Sequence, residues 1–170
     1  LKALTGPMGI AEQRESGLWM LRPRLSAAVI LPHQMRAVAD ISSRYGNGVL
    51  QFTTRQNVQI HGVPLAKVAD ALEALHAAGL ATKGAGGNAV RNVATCPDAG
   101  ICSKQCFDTE PHAVALTEFL LPDPISYKLP RKYKIAISGC ARDCAAAAFA
   151  DLGLIATVRD GVRGFVAYVG

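Results

Sequence analysis

Apolar positions in the first half of the chain recur at two periods. LWMLRPRLSAAVIL (Leu18–Leu31) is strand-like and closes on Val29, Ile30 and Leu31. Pro23 makes its start an edge or an irregular entry, because proline has no N–H for a ladder. Pro32 opens a helix through Arg44, with Met35, Val38 and Ile41 at helical spacing, and Gly46-Asn47-Gly48 stops it. GVLQFTT and NVQIHG are two short strands. In the second, Val58 and Ile60 share one face, and Asn57, Gln59 and His61 the other. Leu65, Val68, Leu72 and Leu75 mark a second amphipathic helix ending near Gly79, and a short strand fits Leu80–Lys83. The order βαββαβ is that of a ferredoxin-like split βαβ unit.

The second half is organised differently. KGAGGNAVRNV (Lys83–Val93) is a glycine-rich loop able to turn backbone N–H groups toward an anion. A helix is expected after Cys102, with Pro111 limiting its first stretch. YKLPRKYKIAIS reads as a strand entered through Pro130. Ala145–Ala148 suggests a closely packed helix, and LGLIATVRDGVRGFVAYV a hairpin turning near Asp160-Gly161. The expected class is α+β: a ferredoxin-like half over residues 1–83, then a mixed α/β half over 84–170. Leu1 is not a methionine and Val169-Gly170 ends inside a strand pattern, so this reading expects the second half to be C-terminally incomplete.

Composition narrows the classes. Half of the 170 residues are hydrophobic, enough for a sizeable core. No apolar run reaches the roughly 18 residues of a spanning helix, and no secretory signal is visible. Clustered cysteines without such a signal favour a reducing compartment, the cytoplasm, and metal binding over disulfides. The net charge of +5 suggests an anionic partner. The basic residues are dispersed and aromatics make up only 6%, which speaks against nucleic acid. A carboxylate-rich cofactor or a small oxyanion fits better.

The chemistry sits in four cysteines. Cys96 and Cys102 form C-x5-C, and Cys140 and Cys144 form C-x3-C. Thiolates so spaced can converge on an iron–sulfur cubane. Structural zinc competes for four thiolates but usually uses shorter knuckles. Cys106, four residues after Cys102, reads as a spare thiol. Lys132 and Lys134 alternate on one strand face, while Tyr133, Ile135 and Ile137 take the other. Arg22 and Arg24 share the i, i+2 relation. Arg55 stands between two short strands and Arg91 just before the cysteines.

TTRQNVQIHG, MLRPRL, VRNV, LPRKYK and the two cysteine pairs, in this order, resemble the sirohaem- and [4Fe–4S]-dependent nitrite/sulfite reductase family. The resemblance covers about Gly17 to Gly170. A single copy carries both the basic residues and the cysteines, which is closer to the dissimilatory, anaerobic and small sulfite reductase branches. GCARDC stands where many members have G-C-P-N-x-C. The resemblance implies a sirohaem joined to a [4Fe–4S] cluster through Cys144, with Cys96, Cys102 and Cys140 as the other cluster ligands. It implies a substrate pocket of Arg22, Arg91, Lys132 and Lys134. Arg24, Thr54, Arg55, Gln56, Asn57, Gln59 and His61 are expected at the tetrapyrrole. The expected reaction is multi-electron reduction of sulfite to sulfide, with nitrite to ammonia as the alternative. The donor would be ferredoxin or a flavin or iron–sulfur subunit, and a single repeat fits pairing with a second copy or a paralogous subunit. A precorrin-3B synthase-like enzyme and a non-catalytic electron-transfer subunit are the rivals. A zinc-stabilised nucleic-acid module is more distant.

Overall fold

The computed structural model describes residues 2–170, with side chains from Leu4 onward. After the short helix α1 (Lys2–Thr5), four strands form an antiparallel sheet of order β1-β2-β4-β3: β1 (Ile10–Glu12), β2 (Leu18–Leu21), β3 (Leu50–Phe52) and β4 (Val58–Pro64). Alternation in β4 turns Val58 and Ile60 inward. A register shift between Trp19 and Leu21, with Gly62 at φ +70, then lets Val63 rejoin the buried side. Helices α2 (Pro32–Tyr45) and α3 (Val68–Ala77) cover that side through Val38, Ile41, Ala71 and Leu75. The opposite face carries Arg22, Gln59 and His61.

The second sheet has order β5-β6-β7-β8: β5 (Val90–Thr95), β6 (Tyr133–Ser138), β7 (Leu152–Arg159) and β8 (Val162–Val169). β5, β6 and β7 run parallel, and β8 returns antiparallel to β7. The hairpin turn uses Asp160 and Gly161, both at positive φ, as a two-residue I′ turn requires. Helix α4 (Glu110–Leu120) covers one face over Val93, Ile135 and Ile137. The other face is lined by small residues, Ala94, Ala136 and Ala147. No described helix is long and apolar enough to cross a membrane.

The α+β expectation holds, with α2, α3, β3, β4, β6 and the hairpin where the pattern puts them. Several elements differ. The strand expected through Leu31 ends at Leu21, because Pro23 removes a donor and Ser26–Ala28 forms a 3-10 turn with Ala27 and Ala28 at positive φ. Leu80–Lys83 is not a strand; the Arg24 N–H reaches Ala81 O at 2.8 Å, but no ladder follows. The first sheet gains β1 instead, which is too short to show a period. The end of the glycine loop, Val90–Val93, belongs to β5. The helix expected after Cys102 begins only at Glu110, with Pro111 in its first turn where a missing N–H costs nothing. Ala145–Ala148 gives only a 3-10 turn, Ala147–Phe149.

That turn rests on β7 because Gly153 has no side chain. A Cβ there would stand 2.0 Å from Ala147 O. Gly153→Ala is therefore expected to lower stability by about 1–3 kcal/mol through overpacking, measured as a shift in the urea unfolding midpoint.

Candidate functional site

The parallel strands β5 and β6 end side by side, and each runs into a cysteine loop. Thr95 is followed by Cys96, and Ser138 by Gly139 and Cys140. The two loops touch: Gly139 N–H donates to Cys96 Sγ at 3.3 Å, and Cys106 N–H donates to Gly139 O at 2.8 Å. Cys102 N–H closes its own turn on Asp98 O at 2.9 Å. Cys96 is buried, Cys102 and Cys140 are partly buried, and Cys144 is exposed; all five cysteines are free thiols. Cys106 Sγ donates to Ala156 O at 3.3 Å.

Among the described residues, no three His, Cys, Asp or Glu side chains stand close enough to share one metal ion. A cubane takes its thiolates at separate corners, so they need not crowd one point. Four free thiols on two touching loops are a donor set that fits a [4Fe–4S] cluster.

On and around the same two strands stands a set of arginines that make no ion pair. Arg22 Nη1 and Arg91 Nη1 both donate to Ala85 O, at 2.9 and 3.3 Å. Arg91 also donates from Nε and Nη2 to Gly87 O at 3.2 and 2.9 Å. The glycine-rich loop thus offers carbonyls to guanidiniums, rather than the expected N–H groups to an anion. Its glycines answer close packing: a Cβ on Gly84 would lie 2.5 Å from Arg24 Nη1, and one on Gly86 2.3 Å from Gly6 O. Burial lowers the pKa of Arg22, Arg55 and Arg91, with Asp151 opposing the fall in Arg55. Arg24 falls to about 10, chiefly through burial; Tyr127 opposes the fall, and the like charges of Arg55 and Arg91 add to it. Among the described residues the one ion pair is Lys67–Asp70, which involves none of them. Guanidiniums withdrawn from water without a carboxylate partner favour an incoming anion.

A polar chain leads to the same place. With its amide oxygen toward Arg22, Gln59 accepts from Nη2 at 2.7 Å and Nε at 3.1 Å, and its amide nitrogen faces His61 Nε2 at 3.1 Å. Gln13 Nε2 lies 3.1 Å from His61 Nδ1, while Gln13 Oε1 accepts from Gly62 N–H at 2.6 Å. A neutral imidazole accepts at only one nitrogen. The chain begins and ends on donors, so it is one acceptor short. Burial, then Arg22, lowers the His61 pKa.

Several residues expected at a tetrapyrrole spend their polar atoms on backbone. Arg24 is 6% exposed and donates to Val90 O and Arg91 O at 3.1 and 2.9 Å. Arg55 Nη2 donates to Asn92 O and Ile135 O, both at 2.6 Å. Gln56, at φ +57, makes a two-point contact: Nε2 donates to Thr95 O at 2.7 Å and Oε1 accepts from Thr95 N at 2.9 Å. Asn57 Oδ1 accepts from Leu25 N at 3.1 Å. Arg24 and Arg55 each keep a buried, unpartnered Nε. Thr54 and Lys132 are exposed and Lys134 half-buried. Tyr133 pairs with Val90, so the two lysines flank the rung next to Arg91. The sequence reading missed Gln13, Asn92 and Thr95. Only Asn92 left a signal, as the neighbour of Arg91 in VRNV.

Gln56→Ala leaves both backbone groups of buried Thr95 unpaired. It should cost about 2–4 kcal/mol and speed thiol labelling of Cys96, measured by urea unfolding and alkylation kinetics. His61 has a folded pKa below the unfolded value of 6.5, so the unfolded chain binds more protons between the two. Its contribution is complete above 6.5, drains as pH falls through that value, and levels off below the folded pKa. Unfolding midpoints from about pH 7.5 to about pH 5 should fall less steeply in His61→Gln than in the parent.

Comparison with known proteins agrees with this arrangement. Residues 11–78 match the nitrite/sulfite reductase ferredoxin-like half domain, and residues 86–170 the nitrite and sulphite reductase 4Fe-4S domain. The ferredoxin–nitrite reductase of Synechococcus elongatus is 35% identical over 159 residues, covering 91% of this chain and 31% of that protein. The sulfite reductase [NADPH] hemoprotein beta-component of Bacillus subtilis is 30% identical over 174 residues, covering 84% of this chain and 29% of that protein. The structure of Mycobacterium tuberculosis NirA protein superposes with a TM-score of 0.90 at 26% identity, over all of this chain and 34% of that one. The chain spans about a third of the length of the curated relatives it matches. With both halves matched in order, the chain belongs to the nitrite and sulfite reductase family.

Proposed function

We propose that this chain is the catalytic portion of a reductase that uses sirohaem and a [4Fe–4S] cluster to carry a small oxyanion through a six-electron reduction. The observation that carries the reading is that one strand pair bears both four free thiols on two touching loops and half-buried guanidiniums that make no ion pair. The sequence reading put sulfite first. Ferredoxin–nitrite reductases stand among the similar proteins beside a sulfite reductase, so nitrite is at least as good a substrate.

When bound, the cofactor pair supplies electrons one at a time to a substrate-binding iron. Cys96, Cys102, Cys140 and Cys144 would hold the cluster, with Cys144 the exposed thiol able to bridge outward. The chain's own task is electrostatic. Arg22 and Arg91 already converge on one carbonyl oxygen, so an oxyanion arriving there exchanges a weak shared acceptor for a charged one. Lys132 and Lys134 add mobile ammonium donors that hold protons at the oxygens being removed. Thr54, Gln59 and His61 are left to meet tetrapyrrole carboxylates, which would supply the acceptor that the Gln13–His61–Gln59 chain lacks, while Arg55 stays committed to β5 and β6. Arg24, Gln56 and Asn57 support this surface from behind. The electron donor is a soluble carrier such as ferredoxin, in a reducing compartment such as the cytoplasm.

The test uses full-length protein purified without oxygen and assayed with sulfite and nitrite. Lys132→Ala with Lys134→Ala should lower kcat/KM at least about a hundredfold for the preferred anion and leave the visible spectrum unchanged. Turnover at the parental rate would remove these lysines from the pocket. Turnover of neither anion by the parent protein would reject the reductase reading.

A further inference from the structure

Between the second pair of cysteines lie Ala141, Arg142 and Asp143, and no proline fixes the backbone there. The turn is nonetheless held tightly, by one carboxylate. Asp143 Oδ1 accepts from Ser138 Oγ at 2.6 Å and from Ala147 N–H at 2.7 Å, and Oδ2 accepts from Ala148 N–H at 3.0 Å. Ser138 Oγ in turn accepts from Ala145 N–H at 3.1 Å. The backbone of the same residue closes the turn at both ends: Asp143 N–H donates to Cys140 O at 3.1 Å, and Ala146 N–H donates to Asp143 O at 2.9 Å. Ser138 is fully buried at the end of β6. The Asp143 side chain therefore ties the end of a core strand to two of the four residues after Cys144, and Ser138 Oγ ties in a third.

The backbone shows what this achieves. Asp143 and Ala146 lie in the left-handed region, at φ +51 and +52, which non-glycine residues rarely adopt. Such conformations persist only where surrounding contacts over-determine them. The carboxylate, held by three hydrogen bonds, stands directly next to Cys144 in sequence.

We propose that Asp143 is the positioning residue of the Cys140–Cys144 pair: its carboxylate holds the turn that presents the two sulfurs, and its charge keeps the bound cluster's reduction potential low. Negative charge near an iron–sulfur cluster disfavours its reduced form, and thiolate placement governs how readily iron is lost. The proposal rests on the reading of these cysteines as cluster ligands. It assigns to a residue between them the stiffness that a proline-free turn otherwise lacks.

The test uses the full-length, cluster-loaded protein and three variants, Asp143→Asn, Asp143→Ala and Ser138→Ala. The measurements are iron and sulfide content, the cluster's reduction potential by EPR-monitored titration, and the rate of iron loss to a chelator without oxygen. Asp143→Asn keeps one acceptor oxygen and loses the charge. It should load fully, with a raised potential and moderately faster iron loss. Asp143→Ala should lose iron at least about tenfold faster than the parent, since charge-assisted hydrogen bonds are removed. Ser138→Ala should fall between them in iron loss while keeping the parental potential. If Asp143→Ala cannot be loaded, Asp143→Asn decides. A loaded parent with potential and iron-loss rate unchanged in Asp143→Asn and, where it loads, in Asp143→Ala overturns the role of Asp143 alone. A parent that carries no cluster overturns the ligand reading, and this proposal with it.

Discussion

Strand β5 is an edge strand, with β6 on one side only, so its outer carbonyls and amides need partners that no neighbouring strand supplies. Side chains of the first half supply them. Arg24 takes Val90 O and Arg91 O, Arg55 takes Asn92 O and reaches on to Ile135 O, and Gln56 takes both backbone groups of Thr95. Buried backbone polar groups left unpaired are costly, so this stitching is a condition for the two halves to meet at all. It also has a direction. Its contacts run along β5 toward Cys96, and hence toward the cysteine loops. The same strand carries Arg91 toward Arg22.

The second consequence is a charge imbalance. Polar side chains from the first half are committed to β5, and Arg22, Arg24, Arg55 and Arg91 make no ion pair: burial lowers the pKa of all four, neighbouring arginines add to the fall in Arg24 and Arg91, and Asp151 opposes it only in Arg55. Folding tolerates this because carbonyl oxygens of Ala85, Gly87 and β5 partly solvate the guanidiniums. In the proposed reading, the remaining deficit is met by an anion. Fold, arginine set and thiol loops are therefore consequences of one junction rather than three separate features.

Much of this was legible in the sequence where a period or a spacing carries the signal. The buried face of β4 followed from Val58 and Ile60, α2 from Met35, Val38 and Ile41, and the hairpin from Asp160-Gly161. The cysteine loops followed from spacing. Other features were not legible because they depend on contacts between distant segments. Arg24 and Gln56 look like ligand contacts in MLRPRL and TTRQ, and only the position of β5 shows that they brace it. Glycines 84 and 86 suggest an anion-binding loop, and only the approach of Arg24 and Gly6 shows why a side chain is excluded. β1 is three residues long and has no period to read. Ala145–Ala148 has the composition of a helix, but the Asp143 carboxylate takes the amides of Ala147 and Ala148 and leaves only a 3-10 turn.

The central claim is that the β5–β6 junction gathers Cys96, Cys102, Cys140 and Cys144 around one inorganic cluster beside the unpaired arginines. Anomalous diffraction at the iron edge, from crystals of the full-length protein grown without oxygen, tests it most directly. The account predicts a compact iron peak within bonding distance of all four sulfurs, with the Arg22 and Arg91 guanidiniums facing an anion nearby. Cysteines joined as disulfides, or iron bound elsewhere with these four sulfurs apart, would contradict it.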